Sequence, residues 1–328
     1  MKYLPRIFFV GLLILFLSHC SDDEMVSPSE VSQDSTIVAF LETVENDSFQ
    51  VDENGIYFYP IELNPTGTSA AGGVLSIYYT ASLLDSTIID TYDESDGDPI
   101  VLRQGVSAVY PVGLDLGMAN MNEGDTYGFI IPSTLAYDTL SFGSLIPSNA
   151  IVQFEVRVMT VETEADVLEE ETTIIDNYIE EAFLDSLELV PLDSIERVGQ
   201  TNAIIYKRLS LGNGISPQTG ELISINYEGR FVGADSLDFD QRYVTQPFEY
   251  NFNSNIVIPG LDIGIAQMEF GETALIMMPS FFGYRESAVV IPDFLAETAV
   301  ENNIVPDYIL RVGPYEALAF EVTLRNRN

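Results

Sequence analysis

Gly113-Leu114-Asp115-Leu116-Gly117-Met118-Ala119-Asn120-Met121 and Gly260-Leu261-Asp262-Ile263-Gly264-Ile265-Ala266-Gln267-Met268 are one stretch written twice in a chain of 328 residues. Each reads as a short helix. Outward from it the order of features is the same in both places. An acidic turn follows, Gly124-Asp125 or Gly271-Glu272, and then an apolar run ending in Pro132-Ser133 or Pro279-Ser280. Upstream stand Ile77-Tyr78-Tyr79 and Ile225-Asn226-Tyr227. A period of about 145 residues is that of a duplicated domain, far longer than a solenoid repeat.

Within each unit the strand patterns alternate apolar and polar residues, as in Phe154-Glu155-Val156-Arg157-Val158 and Phe320-Glu321-Val322-Thr323-Leu324. That period of two predicts an antiparallel sheet with one wet face. A single helical stretch lies between the strands of each unit, so the fold class is α+β: two tandem domains, each a twisted antiparallel sheet wrapped on one short helix. The domains are expected at 51–162 and 200–328. A short helical lead-in occupies 36–50, around Ile37-Val38-Ala39-Phe40-Leu41. A helical linker occupies 163–199, with an acidic, solvated start from Glu162 to Glu171.

The N-terminus has Lys2 and Arg6, an apolar run from Ile7 to Leu17, and then Leu17-Ser18-His19-Cys20, the order of a secretory signal peptide. Eleven apolar residues are too few for a spanning helix, which needs roughly 20. The Leu three residues before a lone cysteine resembles the lipobox of bacterial lipoproteins, although His19 departs from the small residue usual there. The resemblance implies that residues 1–19 are removed and that Cys20 is lipidated. Residues 20–35 then form an acidic, flexible tether. Ser21-Asp22-Asp23-Glu24 resembles a signal for the outer membrane and its surface, which places the chain in the cell envelope.

Beyond Cys20 there is no cysteine, and His19 is the only histidine. Disulfides, thiolate or imidazole metal sites, and Ser-His-Asp or Cys-His nucleophile systems are thereby excluded from the mature chain. Without residues 1–19 the chain has 11 Lys and Arg against 51 Asp and Glu, a net charge of about −40. Such a surface repels phosphate backbones, so nucleic acid is not an expected partner. The acidic loop from Asp90 to Asp98 has Tyr92 and Glu94 where a calcium loop needs Asp or Asn, and reads as a solvated loop.

Two spans carry a specific likeness. Ile131-Pro132-Ser133-Thr134-Leu135-Ala136-Tyr137 is followed by Ile146-Pro147-Ser148-Asn149-Ala150-Ile151-Val152-Gln153-Phe154, and Val257-Ile258-Pro259-Gly260-Leu261-Asp262-Ile263-Gly264 forms the second. With Tyr227-Glu228-Gly229, Phe239-Asp240 and Gln246-Pro247-Phe248-Glu249-Tyr250, they resemble the FKBP-type peptidyl-prolyl isomerases over about 51–162 and 200–328. The resemblance implies catalytic residues Tyr79, Asp90, Leu114, Tyr137, Ile146 and Phe154 in the first unit, with substrate-binding Ile89, Ile100 and Pro111. In the second it implies Tyr227, Asp240, Leu261, Tyr284 and Phe320, with substrate-binding Phe239, Phe248, Ile258 and Val312; Asp238 is an alternative to Asp240. Leu114 and Leu261 stand where many members have tryptophan, and Ile89 and Ile100 replace phenylalanines. Gly283-Tyr284-Arg285 and Gly313-Pro314 are further departures. Between Tyr284 and Val312 lie 27 residues, against 8 between Tyr137 and Ile146. The second unit thus has an insertion at about 285–311, expected to overhang its own pocket, while the short loop leaves the first pocket open.

Such a pocket needs neither cofactor nor nucleophile. Twisting a prolyl amide destroys its resonance, and a water-poor cavity favours the twisted state by differential binding. Tyr137 and Tyr284 would donate to the rotating carbonyl, while Asp90 and Asp240 would orient neighbouring tyrosines. The leading expectation is an exported isomerase or folding helper acting on proline-containing segments of envelope or secreted proteins. The alternatives are a catalytically silent binding module or chaperone, and a structural docking lipoprotein.

Overall fold

The computed structural model describes residues 28–43, 49–184, 195–199, 202–233 and 238–326. The expected signal peptide, Cys20 and the first part of the tether lie outside the described residues. The chain opens with α1 (Pro28–Leu41), then β1 (Gln50–Val51), β2 (Tyr57–Glu62), β3 (Val74–Leu83), β4 (Ile88–Tyr92), β5 (Ile100–Arg103), β6 (Val109–Tyr110), α2 (Val112–Met118), β7 (Thr126–Ile131) and β8 (Val152–Glu162). The second unit follows as α3 (Glu164–Leu184), β9 (Ile195–Val198), β10 (Ile204–Ser210), β11 (Leu222–Phe231), β12 (Asp238–Arg242), β13 (Phe248–Asn251), α4 (Pro259–Ile265), β14 (Thr273–Met278), β15 (Val289–Val290), α5 (Ala296–Glu301) and β16 (Leu318–Leu324). The Tyr110–Pro111 and Ile291–Pro292 peptide bonds are cis.

The duplication read from the sequence is a duplication of topology. The first sheet runs β1-β2-β7-β8-β3-β4 with β5 also on β3, and the second runs β9-β10-β14-β16-β11-β12 with β13 also on β11. All these pairings are antiparallel. Each unit lays its short helix on the concave face of its sheet, and the repeated glycines explain how closely. A Cβ on Gly117 would stand 2.9 Å from the ring of Phe129, and one on Gly264 would stand 2.5 Å from Ile276. Only glycine lets the helix backbone approach the strand that far.

The acidic turns hold the far end of each helix. The Asp125 carboxylate accepts from the backbone N–H groups of Asn64 (2.6 Å) and Asn122 (2.7 Å). Glu272 accepts from Glu269 N–H at 3.0 Å and from the Tyr206 hydroxyl.

Two boundaries differ from the sequence expectation. α1 begins at Pro28, inside the stretch 20–35 expected to be a tether; proline suits a first helical turn, where its missing N–H costs nothing. Within the expected helical linker 163–199, Glu164–Leu184 is helical and Ile195–Val198 is strand β9, which pairs with β10; residues 185–194 lie outside the described residues. The linker's acidic start is a cap as well as a solvated surface, except at Glu171, expected to be solvated but buried against Ser280. Thr163 N–H donates to Asp166 (2.9 Å) while Asp166 N–H donates to the Thr163 hydroxyl (3.2 Å), a reciprocal box.

The second face of each sheet is not wholly wet. Ile37 of α1 packs on Tyr57 and Ile130, and Ile175 and Ile179 of α3 pack on Ile205, Met277 and Ala319. The unbroken apolar runs Phe129-Ile130-Ile131 and Ile276-Met277-Met278 belong to strands buried on both sides, which alternation alone does not express. Gln33 and Glu171 fix these helices at matching points. Ser133 N–H donates to Gln33 Oε1 (2.9 Å), and Ser280 N–H donates to Glu171 Oε1 (3.0 Å).

The insertion does not stay with its own unit. From Val289 onward it crosses to the first unit, where β15 pairs in parallel with β6.

Candidate functional site

Tyr79 lies on β3 and Asp90 on β4, in a register that sets Ala81 opposite Asp90 and Tyr79 opposite Tyr92. The offset lets the Tyr79 hydroxyl donate to the Asp90 carboxylate. Burial, and next that hydrogen bond, push the Tyr79 phenol far above its ordinary range, so it remains a neutral donor. Phe154 on β8 sits opposite Ala81, with its ring 6.3 Å from that of Tyr79. Leu114 of α2 is the fully buried floor, and Pro111 is buried beside it. Tyr137 follows the short helical turn Ser133–Leu135, and Ile146 closes the next loop by bridging to Phe142. Ile89 is buried and Ile100 half-buried in the same apolar cluster. All nine residues singled out in the first unit thus lie around one apolar centre or on its wall.

That centre is filled. Val290, Ile291, Leu295 and Ala299 of the insertion belong to the same buried cluster as Tyr79, Leu114, Tyr137, Ile146 and Phe154. The segment is held as an added strand: Val289 N–H donates to Ala108 O (2.7 Å) and Ile291 N–H to Tyr110 O (2.8 Å). The Tyr137 hydroxyl donates to Ile291 O at 2.7 Å, with both residues buried. Pro292 is buried next to it, and Phe294 places its ring 4.9 Å from Phe142. Burial raises the Tyr137 phenol well above its usual value, with Tyr110 and Asp90 adding to the effect. The expectation of an open first pocket under a short loop is therefore corrected: the loop is short, and the second unit's insertion occupies the space. The run Val289-Val290-Ile291-Pro292 is apolar without amphipathic period, which marks a segment that needs cover on all sides. Its destination was not readable from that.

In the second unit the same pair recurs. The Tyr227 hydroxyl donates to Asp240 Oδ2 at 2.7 Å, which makes Asp240 the tyrosine's partner; the Asp238 side chain lies outside the described residues. Burial and that bond raise the Tyr227 phenol, and burial raises Tyr284. Phe320 sits edge-on to Phe239 (5.6 Å, 87°) and to Tyr227 (5.9 Å, 66°). Gly229 makes this cluster possible, since a Cβ there would be 2.7 Å from Phe320 and 3.0 Å from Phe239. At the matching place the first unit has Ala81 opposite Phe154, beside the smaller Ile89. Leu261, Val312 and Phe320 are buried, whereas Tyr227, Phe239, Phe248, Ile258 and Tyr284 are only partly so. The insertion touches this pocket at one edge, where Tyr308 lies 4.9 Å from Tyr284. Among the described residues no hydrogen bond engages the Tyr284 hydroxyl. The second pocket thus keeps Tyr284, Tyr227 and Phe239 partly exposed.

Behind the floors stand two buried carboxyls that the sequence reading did not single out. Asp115 accepts from Gly105 N–H (2.8 Å), and Asp262 accepts from the Tyr250 hydroxyl (2.9 Å). Burial raises both acids above the ordinary carboxylate range, and these hydrogen bonds pull partly the other way. They tie α2 to the preceding loop and α4 to β13.

The family model of FKBP-type peptidyl-prolyl cis-trans isomerases matches residues 66–159 and 214–325. Human peptidyl-prolyl cis-trans isomerase FKBP10 is 26% identical over 225 residues, which cover 66% of this chain and 31% of that protein. Peptidyl-prolyl cis-trans isomerase FPR2 of Saccharomyces cerevisiae is 35% identical over 94 residues, 29% of this chain and 69% of that protein. The match to the human relative thus spans under a third of its length. A crystal structure of the three FKBP domains of wheat FKBP73 is 17% identical, with a TM-score of 0.32, covering 84% of this chain and 95% of that one.

Proposed function

Because the chain belongs to the FKBP-type peptidyl-prolyl cis-trans isomerase family, we propose that it is an exported prolyl isomerase whose working site is the second pocket. The observation that carries this reading is the cluster of partly exposed Tyr227, Asp240 and Tyr284 beside buried Phe320 and Leu261. The rotation barrier of a prolyl bond stems from amide resonance and amounts to roughly 18–20 kcal/mol. A substrate proline packed among Phe239, Phe320 and Leu261 leaves water, and loss of solvation costs the polar planar amide more than the twisted one. Tyr284 donates to the carbonyl as it turns, and Asp240 fixes the Tyr227 ring as a wall. Because burial raises both phenols, neither donor deprotonates near neutral pH. No step of this mechanism requires a nucleophile.

Replacing Tyr284 with Phe in the chain from residue 21 onward tests the assignment. The expected result is a fall in kcat/KM of about tenfold, equivalent to about 1.4 kcal/mol of transition-state stabilisation. Activity equal to the parent's refutes the role.

A second reading, a binding module or chaperone without turnover, is favoured by the leucine floors, which enclose a proline ring less closely than an indole would. It predicts peptide binding to the second pocket with no acceleration of isomerisation at high protein concentration.

The proposed location is the cell envelope, with a lipid anchor at Cys20 and proline-containing segments of envelope or secreted proteins as clients. Supporting it are the leader-like residues 1–19, the lone cysteine and the acidic stretch after it. Replacing Cys20 with Ser should move the protein from the membrane to the soluble fraction; unchanged fractionation contradicts the anchor.

A further inference from the structure

The geometry points to an internal ligand: the segment Val289–Leu295 of the second unit closes the first pocket as a tethered substrate-like strand, and an aliphatic–proline segment from outside takes its place when it leaves. Three features identify the segment as a ligand and not simply as packing. It pairs in parallel with the two-residue strand β6 through two backbone hydrogen bonds, a pairing apart from the main sheet that any extended peptide backbone can make. It presents an Ile-Pro pair to the pocket, with Ile291 and Pro292 both buried. It also engages the Tyr137 hydroxyl through its backbone carbonyl, the group that every peptide carries, at 2.7 Å.

Solvent-open grooves flank the seam. One of about 570 Å³ is lined by Tyr110, Tyr137, Leu140, Asn302 and Ile304. Another of about 370 Å³ is lined by Tyr92, Ile100, Val290, Asp293 and Ile309. Water therefore reaches the edges of the contact. A tethered segment acts at an effective concentration of roughly millimolar. An outside peptide of ordinary affinity therefore binds the first unit poorly until the segment is dislodged. Apparent affinity falls in proportion to the fraction of molecules that are open.

The ligand class follows from the segment itself: extended, a β-branched aliphatic residue before proline, and an aromatic residue two positions after it. The inference concerns occupancy and not turnover, so it can fail or hold independently of catalysis at the second pocket.

The test uses a fluorescein-labelled peptide with the sequence of residues 288–296 and the two-unit chain. The double variant Ile291→Asp with Leu295→Asp puts charges where the pocket is apolar and should release the segment. It is expected to bind the peptide at least about tenfold more tightly than the parent. Adding Tyr137→Phe should remove much of that gain. Equal affinity in parent and double variant, or a gain indifferent to Tyr137→Phe, overturns the inference. Should the double variant fail to fold, a second measurement decides. The chain has no tryptophan, so Phe294→Trp provides a single reporter on the segment. Saturating unlabelled peptide should shift its emission to the red as the segment is displaced; an unchanged spectrum overturns the inference.

Discussion

At the scale of single residues the two units record linked substitutions. Gly229 stands against Phe239 and Phe320, while its counterpart Ala81 stands beside Ile89 and Phe154. A methyl group at 229 would meet Phe320 at 2.7 Å, well inside contact distance. Gly229→Ala alone should therefore destabilise the second unit by about 1–3 kcal/mol, the usual cost of overpacking. Adding Phe239→Ile, the combination found in the first unit, should recover part of the loss. Denaturant melts of the single and double variants measure this, and a double variant no more stable than the single one contradicts the packing argument. Much at this scale was legible beforehand. Tyr79 with Asp90, and Tyr227 with Asp240 or Asp238, were placed by their family positions; Tyr79 hydrogen-bonds Asp90 and Tyr227 hydrogen-bonds Asp240. Asp115 and Asp262 were not recognised, because an acid that caps a buried loop looks in sequence like any acid in a helix.

At the scale of elements, the helix before each unit docks on the outer face of its sheet through one polar side chain. In the first unit this is Gln33, whose amide also donates to the Ser133 hydroxyl at 2.6 Å. In the second it is Glu171, buried, which accepts from both the N–H and the hydroxyl of Ser280. Burial raises the Glu171 carboxyl, only partly opposed by the Ser280 hydrogen bonds. A carboxyl whose folded pKa lies above its unfolded value favours the fold at low pH, and that contribution is lost as pH rises through the folded pKa. E171Q keeps the acceptor for Ser280 N–H without the buried charge, as Gln33 does. It should melt higher than the parent at pH 7, with the difference shrinking as pH falls through the carboxylate range. A difference that grows on acidification contradicts the assignment. The sequence indicated these helices by their apolar pattern but not their docking, since few of the described positions of α1 and α3 are buried and the strands beneath them show no simple alternation.

At the scale of the whole molecule, two similar domains have been given different situations. The first has a complete pocket that contains part of its neighbour, and the second has a pocket still partly open. The antiparallel sheet and single covering helix of each unit were legible in the duplicated motifs, because alternation and repeated spacing express them, whereas the strand order comes from the structure. The exchange between units was not legible. Tyr137 and Ile291 are 154 residues apart, and no periodicity links them. The insertion was therefore expected over the pocket nearest to it in the chain, whereas its uninterrupted apolar run is buried in the cluster of the first unit. The central claim, a filled first pocket and a reachable second one, is tested most directly by photo-crosslinking. A proline-containing peptide with a photoreactive group beside the proline is irradiated with the two-unit chain, and the sites are mapped by mass spectrometry. Labelling is predicted at the second pocket, around Tyr227, Phe239, Tyr284 and Phe320; labelling concentrated instead around Tyr79, Tyr137 and Phe154 in the unmodified chain would contradict the account.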